Sequence, residues 1–189
     1  MLSNVQTMNG VDKEALFGTI DAVKSQPELA QVSFNLTSEW LGGCRQKSTT
    51  GDLIQNGNVV ESREATFVQE SDEPVALLGT DKATSPAEYI LHALAGCYAV
   101  TFAANATVKG IQLESLRLEM SADIDLQGFL NLNADVRPGL QHIEVRVHAE
   151  SSNATHEQLE ELTRAVEQRS PIRDTLMSPV NVKTTLVER

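Results

Sequence analysis

A long, almost uninterrupted apolar stretch occupies residues 84–111. Apolar side chains fall all around the helical circumference, a pattern typical of a helix that is buried on most sides. Ser85 and Glu88 have the spacing of an S-x-x-E capping box at its beginning, and Gly110 supplies the left-handed stop at its end. The pattern therefore predicts one long central helix, with Cys97 in its middle and inside the fold.

Alternating apolar and polar residues predict strands on both sides of this helix. The predicted strands are residues 31–40, 45–53, 59–68, 111–126, 143–147 and 180–187. Amphipathic spacing predicts shorter helices over residues 11–24 and 156–168. We therefore expect an α+β fold, with residues 1–29 as an N-terminal helical extension and residues 30–189 as the main domain.

The charge and the cysteine content restrict the function. The chain has 189 residues and a formal net charge of −11, so its surface repels phosphate backbones and we expect no nucleic-acid partner. The N-terminus lacks the charged and apolar regions of a secretory signal. Two cysteines without such a signal favour a reducing compartment, and we expect a cytoplasmic protein.

The apolar stretch 84–111 is also long enough for a transmembrane span. His92, Thr101 and Asn105 interrupt it, and neither a basic flank nor a second span accompanies it. We therefore predict a helix in a soluble core and no membrane partner.

Cys97 is the first candidate for chemistry. A cysteine on an apolar helix is most often a small core residue, whereas a nucleophilic thiolate needs a positive neighbour. Glu88 lies nine residues earlier, about 900° of helical rotation and on the opposite face, and His92 lies about 140° around the axis. Neither residue activates Cys97 from within the helix, so any cation must come from another element.

Metal and cofactor motifs are not evident. The four histidines lack zinc-type spacing, and Cys44 and Cys97 do not form a CxxC motif. The Gly42-Gly43 pair has no GxGxxG context. We expect no metal and no cofactor.

Residues 85–111 resemble the central helix of the osmotically inducible protein C and organic hydroperoxide resistance (OsmC/Ohr) family, and their sequence is SPAEYILHALAGCYAVTFAANATVKGI. Matching segments surround it in the family's order: DEPVALLGTDKATSP before it, then RPGLQHIEVRVH and RSPIRDTL after it. The resemblance covers approximately residues 30–187.

The resemblance implies an interlocked homodimer in which antiparallel sheets clasp the central helices. Active members of the family reduce organic hydroperoxides with a cysteine at the position of Cys97. An arginine after a Gly-Gly turn stabilises their thiolate, often from the other chain, and Arg45 is its best match here. The implied partners are a second copy of the chain, a small apolar hydroperoxide and a thiol reductant.

This sequence departs from the family pattern at two places. Ser170 replaces the late cysteine that forms a disulfide with the peroxidatic sulfur, and serine cannot do so. Ala87 replaces a glutamate that holds the arginine, and Glu88 is one position away, so we assign Glu88 to the capping box. Resolution would then fall to Cys44, if its Cα lies within about 7 Å of that of Cys97, or to an external thiol.

The residues support two hypotheses. The first is a dimeric OsmC-like thiol protein that reduces organic hydroperoxides, with Cys97 as the nucleophile and Arg45 as its electrostatic partner. The second is a non-catalytic, stress-associated dimer that binds a small ligand in the same apolar pocket. The replacements at Ser170 and Ala87 motivate the second hypothesis.

Overall fold

The computed structural model describes residues 7–62 and 65–188. Its helices are α1 Lys13–Ser25, α2 Pro86–Lys109, α3 Leu126–Phe129, α4 His156–Arg169 and α5 Pro171–Met177. Its strands are β1 Thr7–Met8, β2 Val11–Asp12, β3 Val32–Gly42, β4 Arg45–Gln55, β5 Asn58–Val59, β6 Val68–Ser71, β7 Leu113–Asp123 and β8 His142–Ser151. The expected α+β class is confirmed.

Two compact units make up the chain. The first unit comprises residues 1–7 and 12–90, and the second comprises residues 8–11 and 91–189. The boundary passes through α2, after its first turn. The division into an extension over 1–29 and a domain over 30–189 is a different partition, and it stays a prediction.

The first unit contains an antiparallel sheet with β4 at its centre. β3 pairs with one edge of β4, and β5 and β6 pair with β4 as well. Gly42 ends β3 and Gly43 begins the two-residue turn to β4, with φ angles of 101° and 59°, a backbone region that glycine adopts without a steric penalty. The predicted Gly-Gly turn thus places Arg45 at the first position of β4.

None of the described hydrophobic residues of the first unit is buried. Phe34 and Trp40 on β3 are 78% and 77% exposed, and Leu78 is 89% exposed. An exposed apolar surface of this extent is characteristic of an interaction site and is uncommon on a monomeric soluble protein.

The second unit contains the buried core. Leu94, Tyr98, Phe102 and Ala106 recur every fourth residue along α2, so they share one face of the helix. Buried residues of α4 and the inward-facing residues of the antiparallel pair β7–β8 pack against this stripe, and among them are Leu162, Val166, Leu118, Met120, Val145 and Val147. Full burial stabilises each large apolar side chain by about 1.5–3 kcal/mol, so this stripe holds the unit together.

The central helix differs from its prediction in burial. Six of its residues are buried, and Val100 is 71% exposed, so the single chain covers only one side of α2. Its length and composition still meet the criteria for a membrane span. The buried stripe identifies it instead as a core helix.

Two of the predicted strands are wrong for the single chain. Within residues 59–68, only Val59 at the end of β5 and Val68 at the beginning of β6 belong to a strand. Arg63 and Glu64 lie outside the described residues. Residues 180–187 form no strand within the described chain, and Val182 and Leu186 are 79% and 94% exposed. Residues 180–187 therefore pair with no strand of the described chain, despite their alternating pattern.

The caps of α2 follow the sequence pattern. Glu88 N donates to Ser85 Oγ at 3.2 Å, and Ser85 N donates to Glu88 Oε2 at 2.8 Å, which completes the capping box. Gly110 has a φ of 70°, as the left-handed stop requires.

Asp72 holds the loop that precedes α2. Its side chain is fully buried and accepts hydrogen bonds from Thr80 Oγ1 at 2.5 Å and from the backbone N–H groups of Glu73, Thr80 and Lys82. These bonds, with that from Thr80 Oγ1 the strongest, lower the pKa of Asp72 to about 2 against the opposing effect of burial.

Asp72 therefore makes stability depend on pH. The folded pKa is below the ordinary value of about 3.9, so the stabilisation is complete above pH 4 and is lost as the pH falls through about 2. We expect urea unfolding to show wild type more stable than D72N at pH 5, with the difference shrinking towards pH 2. D81N is the control, because Asp81 lies exposed in the same loop and its left-handed backbone suits asparagine. A D72N difference that stays constant with pH would contradict this assignment.

Candidate functional site

Ser170 occupies the junction between two helices. α4 ends at Arg169 because Pro171 cannot continue it, and the residue before a proline is driven to an extended conformation. Ser170 accordingly has φ −72° and ψ 113°, and it is the N-cap of α5. Its side chain points into the second unit and is only 1% exposed.

Ser170 and Cys97 are in direct contact. The hydroxyl Oγ of Ser170 donates to the sulfur of Cys97 at 3.1 Å. Cys97 is half-buried, and not enclosed in the core as the helix pattern predicts. The structure therefore brings together the candidate nucleophile and the residue that replaces the family's late cysteine.

Cys97 lies in an open groove of about 630 Å³ between α2 and the beginning of α5. Most of its lining is small or apolar, and these residues are Ala93, Gly96, Val100, Ala104, Pro171 and Ile172. The polar lining residues are His92, Thr101, Asn105 and Arg169. An apolar groove beside a half-buried thiol suits a small molecule with an apolar body.

A chain of hydrogen bonds connects Cys97 with Arg169. Thr101 Oγ1 donates to the backbone carbonyl of Cys97 at 2.7 Å, and Asn105 Nδ2 donates to that of Thr101 at 2.8 Å. Arg169 Nη1 donates to Asn105 Oδ1 at 3.3 Å. These hydrogen bonds hold the guanidinium of Arg169 at the groove. The sequence analysis did not identify this cation, because no local pattern links Arg169 to the central helix.

Arg173 supplies a second positive charge near the same helix. Burial raises the pKa of Tyr98, and the positive charge of Arg173 acts in the opposite direction. Tyr98 therefore stays protonated as part of the core, next to Cys97 in the sequence.

Arg45 forms an ion pair within the first unit. Arg45 Nη2 lies 2.9 Å from Glu70 Oε2, and both side chains are partly exposed. Tyr89 Oη donates to the backbone carbonyl of Glu70 at 2.7 Å. Glu70 thus orients the guanidinium of Arg45. The two residues are brought together by the pairing of β6 with β4, which no local sequence pattern predicted.

One donor of Arg45 has no partner. Its Nε is buried and forms no hydrogen bond within the described part of the chain. A buried donor of this kind can bind an acceptor from water, a ligand or another chain.

The remaining candidates have structural roles. Glu88 caps α2, as the sequence analysis assigned it. Cys44 is exposed, and its sulfur donates to the carbonyl of Leu78 at 3.6 Å. Within the described residues, both cysteines are free and no group of three or more potential ligands is placed to hold a metal ion.

Together, these features define an α+β protein with a thiol-centred site on its central helix. The family model of the OsmC-like proteins matches residues 79–185, which is more than half of the chain. The protein belongs to the OsmC-like family, and the resemblance identified from its sequence is confirmed. Cys97 and Ser170 lie within the matched residues, whereas Arg45 lies outside them.

Solved structures share the fold. An OsmC-like protein from Mycoplasma pneumoniae has a TM-score of 0.58 at 19% identity, over 82% of this chain and 98% of that one. An organic hydroperoxide resistance protein OsmC from Legionella pneumophila has 0.53 at 18%, over 80% and 93%. An organic hydroperoxide resistance protein from Elizabethkingia anophelis has 0.53 at 16%, over 78% and 89%. No curated protein is significantly similar to the sequence.

Proposed function

We propose that this protein reduces organic hydroperoxides through Cys97 as a single peroxidatic cysteine, in defence against oxidative stress. The supporting observation is the half-buried thiol in an apolar groove at the family's cysteine position. The Legionella and Elizabethkingia relatives are named for organic hydroperoxide resistance.

The proposed oxidation step uses the Cys97 thiolate as the nucleophile. Its sulfur attacks the outer oxygen of ROOH, so that an S–O bond forms while the O–O bond breaks. The sulfur is oxidised by two electrons to the sulfenic acid, and the peroxide is reduced to an alkoxide that takes a proton and leaves as ROH. The apolar lining of the groove accommodates the R group.

Return to the thiol requires an external reductant. Ser170 carries no sulfur, so the sulfenic acid condenses with an outside thiol to give a mixed disulfide and water. A second outside thiol then releases Cys97 by thiol–disulfide exchange. This one-cysteine cycle suits a reducing compartment, and we place the protein in the cytoplasm on that ground.

We assign Arg45 as the electrostatic partner of the Cys97 thiolate. Its guanidinium is oriented by Glu70 and keeps one buried donor free for an acceptor. Hydrogen bonds to charged groups contribute about 1.5–3 kcal/mol, so this contact would stabilise the charge on the sulfur.

We also infer that the protein is a homodimer. The exposed apolar residues of β3, the unpaired segment 180–187 and the buried donor of Arg45 each require a partner. A second copy of the chain supplies all three needs at once, as an interlocked pair of chains does.

A non-catalytic ligand-binding dimer is the second candidate. Ser170 occupies the place of the resolving thiol, and the groove retains its apolar lining. In this case the groove binds a small apolar molecule, and Cys97 acts only as part of its wall.

The first test separates these two functions. We expect wild type to consume cumene hydroperoxide with a small thiol as reductant, C97S to show no consumption above the thiol alone, and C44S to retain most of the activity. Peroxide loss is followed by a ferric–xylenol orange assay. Equal rates for wild type and C97S would favour the ligand-binding function. A large loss in C44S would assign resolution to Cys44.

The second test concerns Arg45. We expect R45Q to lower the second-order rate of Cys97 with hydroperoxide by about tenfold or more, because one charged hydrogen bond to the thiolate is lost. K47Q is the matched control, since Lys47 lies two positions along β4, has similar exposure and pairs with Glu39. Equal losses of rate in R45Q and K47Q would show that Arg45 acts only through the overall charge of the surface.

The third test concerns the dimer. Light scattering after size-exclusion chromatography is expected to give twice the chain mass of 20.6 kDa. F34E places a charge on the exposed apolar side of β3, and S33E places the same charge on the opposite side. We expect F34E to dissociate or precipitate and S33E to stay dimeric. A monomeric wild type would disprove the dimer.

A further inference from the structure

We propose that Ser170 is a catalytic residue whose hydroxyl donates to the reacting sulfur of Cys97, first as the thiolate and then as the sulfenate. This inference rests on the proposed function and adds a residue to it. The serine that replaces the family's late cysteine thereby becomes part of a site with one cysteine.

The geometry leaves the hydroxyl proton of Ser170 available to the sulfur of Cys97. A serine hydroxyl has one proton to donate and two lone pairs that accept. Ser170 Oγ accepts from the backbone N–H of Arg173 at 3.4 Å as the N-cap of α5, which occupies a lone pair and leaves the proton for Cys97 at 3.1 Å. A group with a free proton suits an anionic sulfur better than a protonated one.

The position of the donor is also fixed. Ser170 N donates to the carbonyl of Val166 at 2.9 Å, and Pro171 restricts the backbone on the other side. With 1% of the residue exposed, water does not compete for the hydroxyl. The donor is therefore ordered before the reaction, a condition for stabilising charge without reorganisation.

The same contact determines how the oxidised sulfur reacts. The sulfenic acid forms by transfer of oxygen from ROOH to the sulfur, with release of ROH. A thiol at position 170 would displace the oxygen as water and form a disulfide, whereas the hydroxyl only donates a hydrogen bond. Ser170 thus hydrogen-bonds the oxidised sulfur until the sulfenate has taken up a proton and an outside thiol attacks the sulfenic acid from the open groove, which forms the mixed disulfide and releases water.

The principal test compares alkylation of Cys97 by iodoacetamide at pH 7 in wild type and S170A, with the modified peptide quantified by mass spectrometry. We expect S170A to react about tenfold more slowly, because the variant removes a hydrogen bond to the nucleophilic sulfur. T155A is the matched control, since Thr155 caps α4 in the same unit without contacting Cys97. An equal rate in wild type and S170A, or an equal loss in T155A, would overturn the proposal.

A second variant keeps the test decisive if S170A does not fold. S170C places a thiol where the hydroxyl contacts Cys97, and one equivalent of cumene hydroperoxide is expected to convert it to an intramolecular disulfide, detected as a loss of two hydrogens and of both free thiols. In wild type, the same treatment is expected to leave a sulfenic acid that dimedone traps. Failure of S170C to form the disulfide would contradict the contact.

These results separate the inference from the function on which it rests. A slow S170A together with a wild type that consumes no peroxide would keep the hydrogen-bond role and reject the peroxidase. An active wild type with an unchanged S170A would keep the peroxidase and reject the role of Ser170.

Discussion

The buried stripe on α2 determines the geometry of the whole second unit. Burial of Leu94, Tyr98, Phe102 and Ala106 sets the rotation of the helix about its axis. Cys97 immediately precedes Tyr98 and is therefore about 100° away from the buried direction. This offset explains why the thiol is half-buried, at the margin between the core and the groove, and is neither enclosed nor fully exposed.

The proline at position 171 provides the other half of the site. It ends α4, starts α5 and places the intervening serine against the sulfur. The extended backbone that Pro171 imposes on Ser170 thus accounts for its role as N-cap, its contact with Cys97 and its burial. In the proposed function, the side chain of residue 170 determines how the oxidised Cys97 reacts, because a hydroxyl at this place cannot form the disulfide that a thiol would form.

Local sequence patterns predicted most of the helices and strands, but few of the contacts between residues of the candidate site. The capping box of α2, the helices α1 and α4, and the turn at Gly42 and Gly43 were predictable because each depends on residues a few positions apart. The pairing of Arg45 with Glu70 depends on the register of β6 beside β4, and the approach of Arg169 depends on the packing of α4. No sequence period encodes either contact.

The two errors of burial have a common cause. The spacing of apolar residues predicts which side chains are buried in the functional form of the protein. An isolated chain can leave some of these side chains exposed. The all-round apolar character of α2 and the alternation of residues 180–187 both predict cover that the single chain lacks, and the apolar residues of β3 lack it as well. These exposed apolar surfaces support the proposed homodimer. The buried Nε of Arg45, which forms no hydrogen bond within the described residues, agrees with that proposal.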